Sequence, residues 1–141
     1  MNTQYAIAAA LVFALATTAS AATIGPSSLL AGLNLPDLIV DNVSISISGD
    51  NTSNSTVNIT AVIKNIGNAT ANASITGFRV VPLGGDKGIS TPALAPGAST
   101  AVTATYSLPS GAYNLTVKAD ATLVVAESVE NNNVLKTSFS V

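Results

Sequence analysis

The hydrophobic period of this chain changes at Asp37, and that change fixes most of what the chain can become. Beyond it, apolar and polar residues alternate. In Asp37-Leu-Ile-Val-Asp-Asn-Val-Ser-Ile-Ser-Ile-Ser48, Ile39, Val43, Ile45 and Ile47 share one face, while Asn42, Ser44, Ser46 and Ser48 share the other. Val57, Ile59, Ala61 and Ile63 repeat the pattern opposite Asn58, Thr60 and Lys64. Further strands are expected at about 74–82, 98–107, 112–121 and 133–141, the last with Leu135, Phe139 and Val141 inward. Turn signals stand between them: Gly49-Asp50-Asn51, Asn65-Ile-Gly67-Asn68, Gly84-Gly85-Asp86, Ala95-Pro96-Gly97 and Pro109-Ser-Gly111. Six or seven short strands at this spacing predict an antiparallel immunoglobulin-like β-sandwich. Its core is filled by Val, Ile, Leu and Ala, with Phe78, Tyr106, Tyr113 and Phe139 as the largest pieces.

Residues 1–36 have a different character. No charged side chain appears before Asp37, and Tyr5 to Ala22 is an almost unbroken apolar run without Gly or Pro. Its Ala and Leu content predicts a helix, with Asn2 or Thr3 as N-cap and a break at Gly25-Pro26. A second helical stretch is expected from Ser27 to Leu35, ended by Pro36, so that residues 2–35 would span about 50 Å at 1.5 Å per residue. The expected fold class is therefore α+β: a hydrophobic helix and neck over residues 1–36, then a sandwich head over 37–141.

Three fates are open to the apolar run. It could be a secretory signal cut after the small residues Ala19-Ser20-Ala21, although Met1-Asn2-Thr3-Gln4 carries no basic residue. About 18 apolar residues could also just span a bilayer core. Or it could be a retained assembly helix, apolar all round because copies bury one another.

Composition narrows the chemistry. Charged residues make up 9% of the 141, with five Lys/Arg against seven Asp/Glu, so no basic patch is available for nucleic acid. Histidine and cysteine are absent, which removes the usual general base, the thiolate nucleophile and any disulfide framework. No catalytic residue, cofactor site or small-molecule substrate is expected. Asp120, Glu127 and Glu130 with neighbouring Asn residues offer the oxygen ligands that calcium prefers, but without the dense alternation of a calcium loop. The alternative is that these side chains cap a tight turn, with one or two Asn residues in the left-handed conformation, and no metal is assigned.

Seven N-x-[ST] sequons lie at Asn42, Asn51, Asn54, Asn58, Asn68, Asn72 and Asn114. Asn42, Asn58 and Asn114 fall on outward strand positions and the others in or beside turns, so each could carry a glycan without touching the core. Such a coat would also shield strand edges that carry little charge.

Several segments resemble the CARDB type of cell-adhesion-related immunoglobulin-like domain over about residues 37–141: Asp37-Leu-Ile-Val, Val57 to Thr70, Leu94-Ala-Pro-Gly-Ala-Ser, Pro109 to Asp120, and Ala126 to Asn133. Asn65-Ile-Gly67 is similar to the family's Asn-x-Gly turn, and Glu127 to Asn133 to its acidic, Asn-rich turn before the last strand. An apolar segment followed by such a head also resembles the archaeal type IV pilin, a subunit of extracellular adhesion filaments. That resemblance implies a homopolymer, inserted in the membrane before assembly and able to contact surfaces or other cells. Tyr5, Ile7, Leu11, Val12, Phe13, Leu15, Ala16 and Ala19 would pack the filament core, and Gly25, Pro26 and Pro36 would form the neck. The competing expectation is a secreted or cell-surface CARDB-like adhesion module whose residues 1–21 are a cleaved signal, assembling by donating a strand to a neighbour.

Overall fold

The computed structural model describes residues 33–49 and 53–141. Seven strands follow in order: β1 (Leu38–Ser48), β2 (Ser55–Asn65), β3 (Ser74–Val81), β4 (Gly85–Thr91), β5 (Ser99–Leu108), β6 (Ala112–Lys118) and β7 (Val134–Ser140). They form a three-stranded sheet, β1-β2-β5, and a four-stranded sheet, β4-β3-β6-β7, with every neighbouring pair antiparallel. The inward residues of both sheets form one core, which is the arrangement of an immunoglobulin-like sandwich.

The expected α+β class is corrected to all-β. No helix occurs among the described residues, and none there is long and apolar enough to cross a membrane. The helix expected over Tyr5–Ala22, the residues from Tyr5 to Ala19 expected to pack a filament core, and Gly25-Pro26 lie outside the described residues. One compact unit runs from Asn34 to Val141, with Pro36 and Asp37 already buried in it.

Strand β2 shows why alternation governs this fold. Ser55, Val57, Ile59, Ala61, Ile63 and Asn65 are buried, while the residues between them face outward. Strand β1 departs from the expected phase. Its register to β2 slips between Val40 and Asn42, where Asp41 forms a bulge. Leu38 and Val40 therefore point inward before the bulge, and Val43 and Ile45 after it, while Ile39 is only half-buried. Strand β4 was not expected, because Gly84-Gly85-Asp86 and Gly88 look like turn residues. The turn sits instead at Pro82-Leu83-Gly84, and β4 is a short edge strand whose register to β3 runs from Thr91 opposite Ser74 to Gly85 opposite Val80.

Aromatic side chains tie the layers together. Phe78 is buried at the centre, and Tyr106 on the opposite sheet donates its hydroxyl to the Phe78 carbonyl at 3.1 Å. Burial, with the charge of Asp86 adding to it, pushes the Tyr106 phenol up to about 12, so it remains a donor. Tyr113 donates to the Pro109 carbonyl at 2.8 Å, closing the β5–β6 corner, and stacks on Phe139 with ring centroids 5.5 Å apart.

Removing the Phe78 ring leaves a central cavity, so Phe78→Ala should cost about 3–5 kcal/mol in chemical denaturation. Tyr106→Phe leaves the Phe78 carbonyl without its inter-sheet partner and should cost about 1–2 kcal/mol.

Candidate functional site

The chain's concentration of chemically active side chains lies at one end of the sandwich, where the polypeptide enters β1. Four segments meet there: the neck ahead of β1, the β2–β3 turn, the β4–β5 turn and the long β6–β7 connection. Apolar side chains anchor them: Leu38 and Ile63 on strands, and Leu94 and Val125 in the connections themselves, are all buried in the core.

Asn65 is the hub. It is fully buried, and its side chain satisfies all its hydrogen-bonding capacity within the chain. Its Oδ1 accepts from the N–H groups of Asp37 at 3.1 Å and Gly67 at 3.0 Å, and its Nδ2 donates to the carbonyls of Ala69 at 2.7 Å and Leu94 at 2.9 Å. Its backbone adds an N–H donated to Ala98 and a carbonyl accepting from Gly97. Gly67 follows because the neck passes directly over it. A Cβ there would stand 2.5 Å from the Asp37 nitrogen and the Leu35 carbonyl oxygen.

The acidic turn completes the arrangement. Glu127 is buried, its Oε2 accepts a short hydrogen bond from the Leu38 N–H, and its Oε1 accepts from Asn133 Nδ2 at 2.7 Å. The Glu127 N–H in turn donates to Glu130 Oε1 at 2.9 Å. Asp37 accepts from Asn132 Nδ2 at 2.8 Å and Ser128 Oγ at 3.2 Å, and the Ser128 N–H donates to the Pro36 carbonyl at 2.9 Å. Asp120, fully buried, adopts φ +40° and caps the next turn by accepting from the N–H groups of Val124 at 3.1 Å and Val125 at 2.8 Å. The left-handed residues of this connection are Asp120 and Leu123, not the Asn residues. Asp120 tolerates that conformation because its carboxylate bonds the local backbone.

Four carboxylates thus share one end of the domain, and their electrostatics are unbalanced. Burial pushes the Glu127 carboxyl up to about 7, with the charges of Glu130 and Asp120 adding to the rise. The hydrogen bonds from Leu38 and Asn133 oppose it. The side-chain oxygens of Asn132 and Asn133 are buried without a partner. A half-turn of the Asn133 amide would offer its Oδ1 to a protonated Glu127, so the site can hold the carboxyl in either state.

Chemically, the arrangement is a clasp. Asp37, Asp120, Glu127 and Glu130 are each spent on the chain's own N–H and hydroxyl donors. Among the described residues, no three acidic side chains are placed so as to hold a metal ion. The structure brings Asp120, Glu127 and Glu130 to one end of the domain and adds Asp37, Asn65, Asn132 and Asn133, which the sequence reading did not single out as partners. The available signal was a polar Asn65 directly after the buried Val57–Ile63 alternation, at an inward position.

The sequons are dispersed. Asn54, Asn68 and Asn72 are exposed beside turns, Asn42 and Asn114 are exposed on β1 and β6, and Asn51 lies outside the described residues. Asn58 is half-buried on the central strand β2, and its Oδ1 accepts from the Thr105 hydroxyl at 2.7 Å. Of the expected neck residues, only Pro36 is described, buried beside the clasp.

A profile of the CARDB family matches residues 35–137. The chain belongs to the CARDB family. Among solved structures, it is similar to the CARDB domain of a Pyrococcus furiosus protein, a crystal structure in complex with di-metal ions. The identity is 23%, with 77% of this chain and 94% of that one covered and a TM-score of 0.60. A solution structure of the same Pyrococcus domain aligns at 25% identity, over 77% and 96% of the two chains, with a TM-score of 0.53. A domain of a Methanosarcina acetivorans protein assigned to the cell surface aligns at 24% identity, over 75% and 91%, with a TM-score of 0.59. No protein among those with curated functions matches this chain. The matched span includes the clasp from the neck through Asn133, so this CARDB domain begins with the residues that Asn65 and Glu127 hold.

Because the Glu127 carboxyl sits higher in the folded CARDB domain than in the unfolded chain, the native state binds the extra proton between about pH 4.5 and 7. The stability it contributes is present below that window and is lost as pH rises through 7. Urea unfolding should show on the order of 2 kcal/mol greater stability at pH 5 than at pH 7.5, and Glu127→Gln should flatten that difference. Gly67→Ala forces the neck off the turn and should cost about 2 kcal/mol at either pH.

Proposed function

We propose that this chain is a non-catalytic cell-surface module, displayed outside the cell and built to present a stable, nearly uncharged β head. The observation that carries this reading is the CARDB match over a head whose acidic and amide groups are consumed in holding its own neck. The Methanosarcina relative, assigned to the cell surface, supports the setting. Absence of His and Cys from the whole chain leaves no ordinary nucleophile and base pair. Its partners are other surface components and neighbouring cells, not nucleic acid, metabolites or a cofactor.

The exposed sequons supply the solubility that charge does not. Asn42, Asn54, Asn68, Asn72 and Asn114 can each carry a glycan directed into solvent. Asn58 is different, because its amide oxygen is tied to Thr105 within the sheet and Thr60 of its sequon is bonded to Thr103 at 2.8 Å.

A second reading, the subunit of an extracellular adhesion filament, is favoured by one observation: the run from Tyr5 to Ala22 carries no charge, and none appears before Asp37. In that reading the run is retained and buried among copies, and the CARDB head forms the outer sheath.

Surface proteolysis of intact source cells, followed by mass spectrometry of the released chain, separates these readings. The surface reading requires head peptides from shaved cells, and their appearance only after lysis overturns it. A mature start at Ala22 selects the free or surface-attached module. A retained apolar run selects the filament subunit, and Val12→Asp or Ala16→Asp should then abolish filaments while leaving the head folded. Glycopeptide mapping should find modification at Asn54, Asn68 and Asn72, with the lowest occupancy at Asn58. An unmodified mass removes the glycan coat from the account.

A further inference from the structure

Four strand edges border the two sheets, belonging to β1, β5, β4 and β7, and three of them are defended. Lys87 donates its Nζ to the Thr105 carbonyl and lies 4.7 Å over the Tyr106 ring, so one of β5's edge acceptors is already occupied. Strand β4 is seven residues long and carries Asp86 and Lys87. Strand β7 carries an exposed Lys136. Charge, shortness and occupied acceptors are the usual protections against edge-to-edge pairing.

Strand β1 has little of this beyond its bulge at Asp41 and one N–H taken by a neighbouring side chain. From Asn42 to Ser48 it is uncharged, and its outer side pairs with no other strand among the described residues; the Val43 N–H donates to the Asn42 Oδ1 at 2.8 Å, a bond that pairing with another strand would have to replace. Its inward side chains are poorly covered: Val43 and Ile45 are only partly buried, and Ile47 remains 44% exposed. A β-branched strand with an open edge and an incompletely covered inner face requires a further strand to finish it.

We infer that β1 pairs antiparallel with β1 of a second copy of this chain, joining two three-stranded sheets into one of six. The sequence Val43-Ser-Ile-Ser-Ile-Ser48 is self-complementary about Ile45. With the two-fold axis there, Ile45 meets its own copy, Val43 faces the partner's Ile47, and Ser44 faces the partner's Ser46. Directly opposed residues point to the same face, so aliphatic side chains stay inward and hydroxyls outward.

Charge sets the occupant. Each Asp41 would stand opposite the other copy's Gly49, which keeps the two Asp41 carboxylates about 27 Å apart along the strands at 3.4 Å per residue. No like charges are opposed over the paired stretch. Pairing of β7 with its copy about Thr137 would instead set the two Lys136 side chains at neighbouring diagonal positions. An isologous contact of this kind closes on itself as a dimer rather than propagating. Seven residues of strand bury less than the roughly 1,200 Å² of a standard stable interface, so the contact is weak in dilute solution and is favoured where copies are concentrated on a surface.

The chain has no cysteine, which makes cross-linking clean. Full-length Ser44→Cys and Ser46→Cys variants, oxidised separately and as a mixture, should form the mixed 44–46 disulfide at least fivefold faster than either like pair. Directly opposed positions are close, whereas like positions lie on the diagonal. Ser138→Cys, exposed on β7, sets the rate of chance encounter. Adding Ile47→Lys to both partners should return the mixed rate to that background, with the melting temperature of each variant confirming a folded head. The inference is overturned by a mixed rate equal to the Ser138→Cys background, by faster like-pair disulfides, which would mean parallel pairing, or by insensitivity to Ile47→Lys.

Discussion

The side chain of Asn65 holds the entry of this domain together. Four hydrogen bonds leave one buried amide for three segments of backbone: the neck at Asp37, its own turn at Gly67 and Ala69, and the β4–β5 connection at Leu94. No apolar side chain could replace it, because the Asp37 and Gly67 N–H groups and the Ala69 carbonyl would lose their partner, at a cost of about 1–3 kcal/mol for each group left buried and unpaired, and the Leu94 carbonyl would keep only its bond from the Ala71 N–H. A carboxylate would lack donors for the two carbonyls. Asparagine alone among residues of this size offers acceptor and donor on one planar group. The need for Gly67 follows, since the neck can reach Asn65 only by crossing the turn at backbone contact distance.

Around this hub the acidic residues act as acceptors for N–H groups that strand pairing cannot reach. Leu38 begins β1 and pairs with Asn65, and its own N–H is taken by Glu127. Asp120 does the same for Val124 and Val125 in a connection that would otherwise bury unpaired donors. The cost is the gathering of four carboxylates without a cation among their hydrogen-bonding partners, and it falls on Glu127. Glu127 titrates high because ionisation in that setting is opposed both by burial and by Glu130 and Asp120.

Much of the sandwich was legible in the sequence, and the failures have physical causes. Strands β2, β5 and β6 alternate cleanly because one face is buried along their whole length. In β1 a single bulged residue, Asp41, reversed the phase, and alternation alone cannot reveal an inserted residue. Strand β4 was hidden because Gly85, Asp86 and Gly88 are residues of turns. An edge strand needs little propensity of its own when Phe78 and Arg79 on its neighbour supply the pairing template. The acidic turn was visible as a turn, but its partners were not, since Leu38 and Glu127 lie 89 residues apart. The α in the expected class came from residues 1–36, and residues 33–36 contribute no helix to the described fold.

The two outer faces of the sandwich extend the same logic to the surface. On the three-stranded sheet, Ser44, Thr60 and Thr103 lie in one row, Ser46, Asn58 and Thr105 in the next, and Ser48, Thr56 and Ser107 in a third. On the four-stranded sheet, Asp86, Arg79, Thr116 and Lys136 form a row with Lys118 beside it. A face of hydroxyls and amides stays hydrated without titrating, so lowering the pH changes its charge hardly at all. The buried Glu127 moves the other way from an ordinary paired carboxylate, because it gains a proton in the native state and relieves repulsion as it does so. Acidification therefore changes little on the outer face of the three-stranded sheet and tightens the clasp at the domain's entry. A domain held by Asn65 and a protonatable Glu127 thus keeps its entry closed as the pH falls.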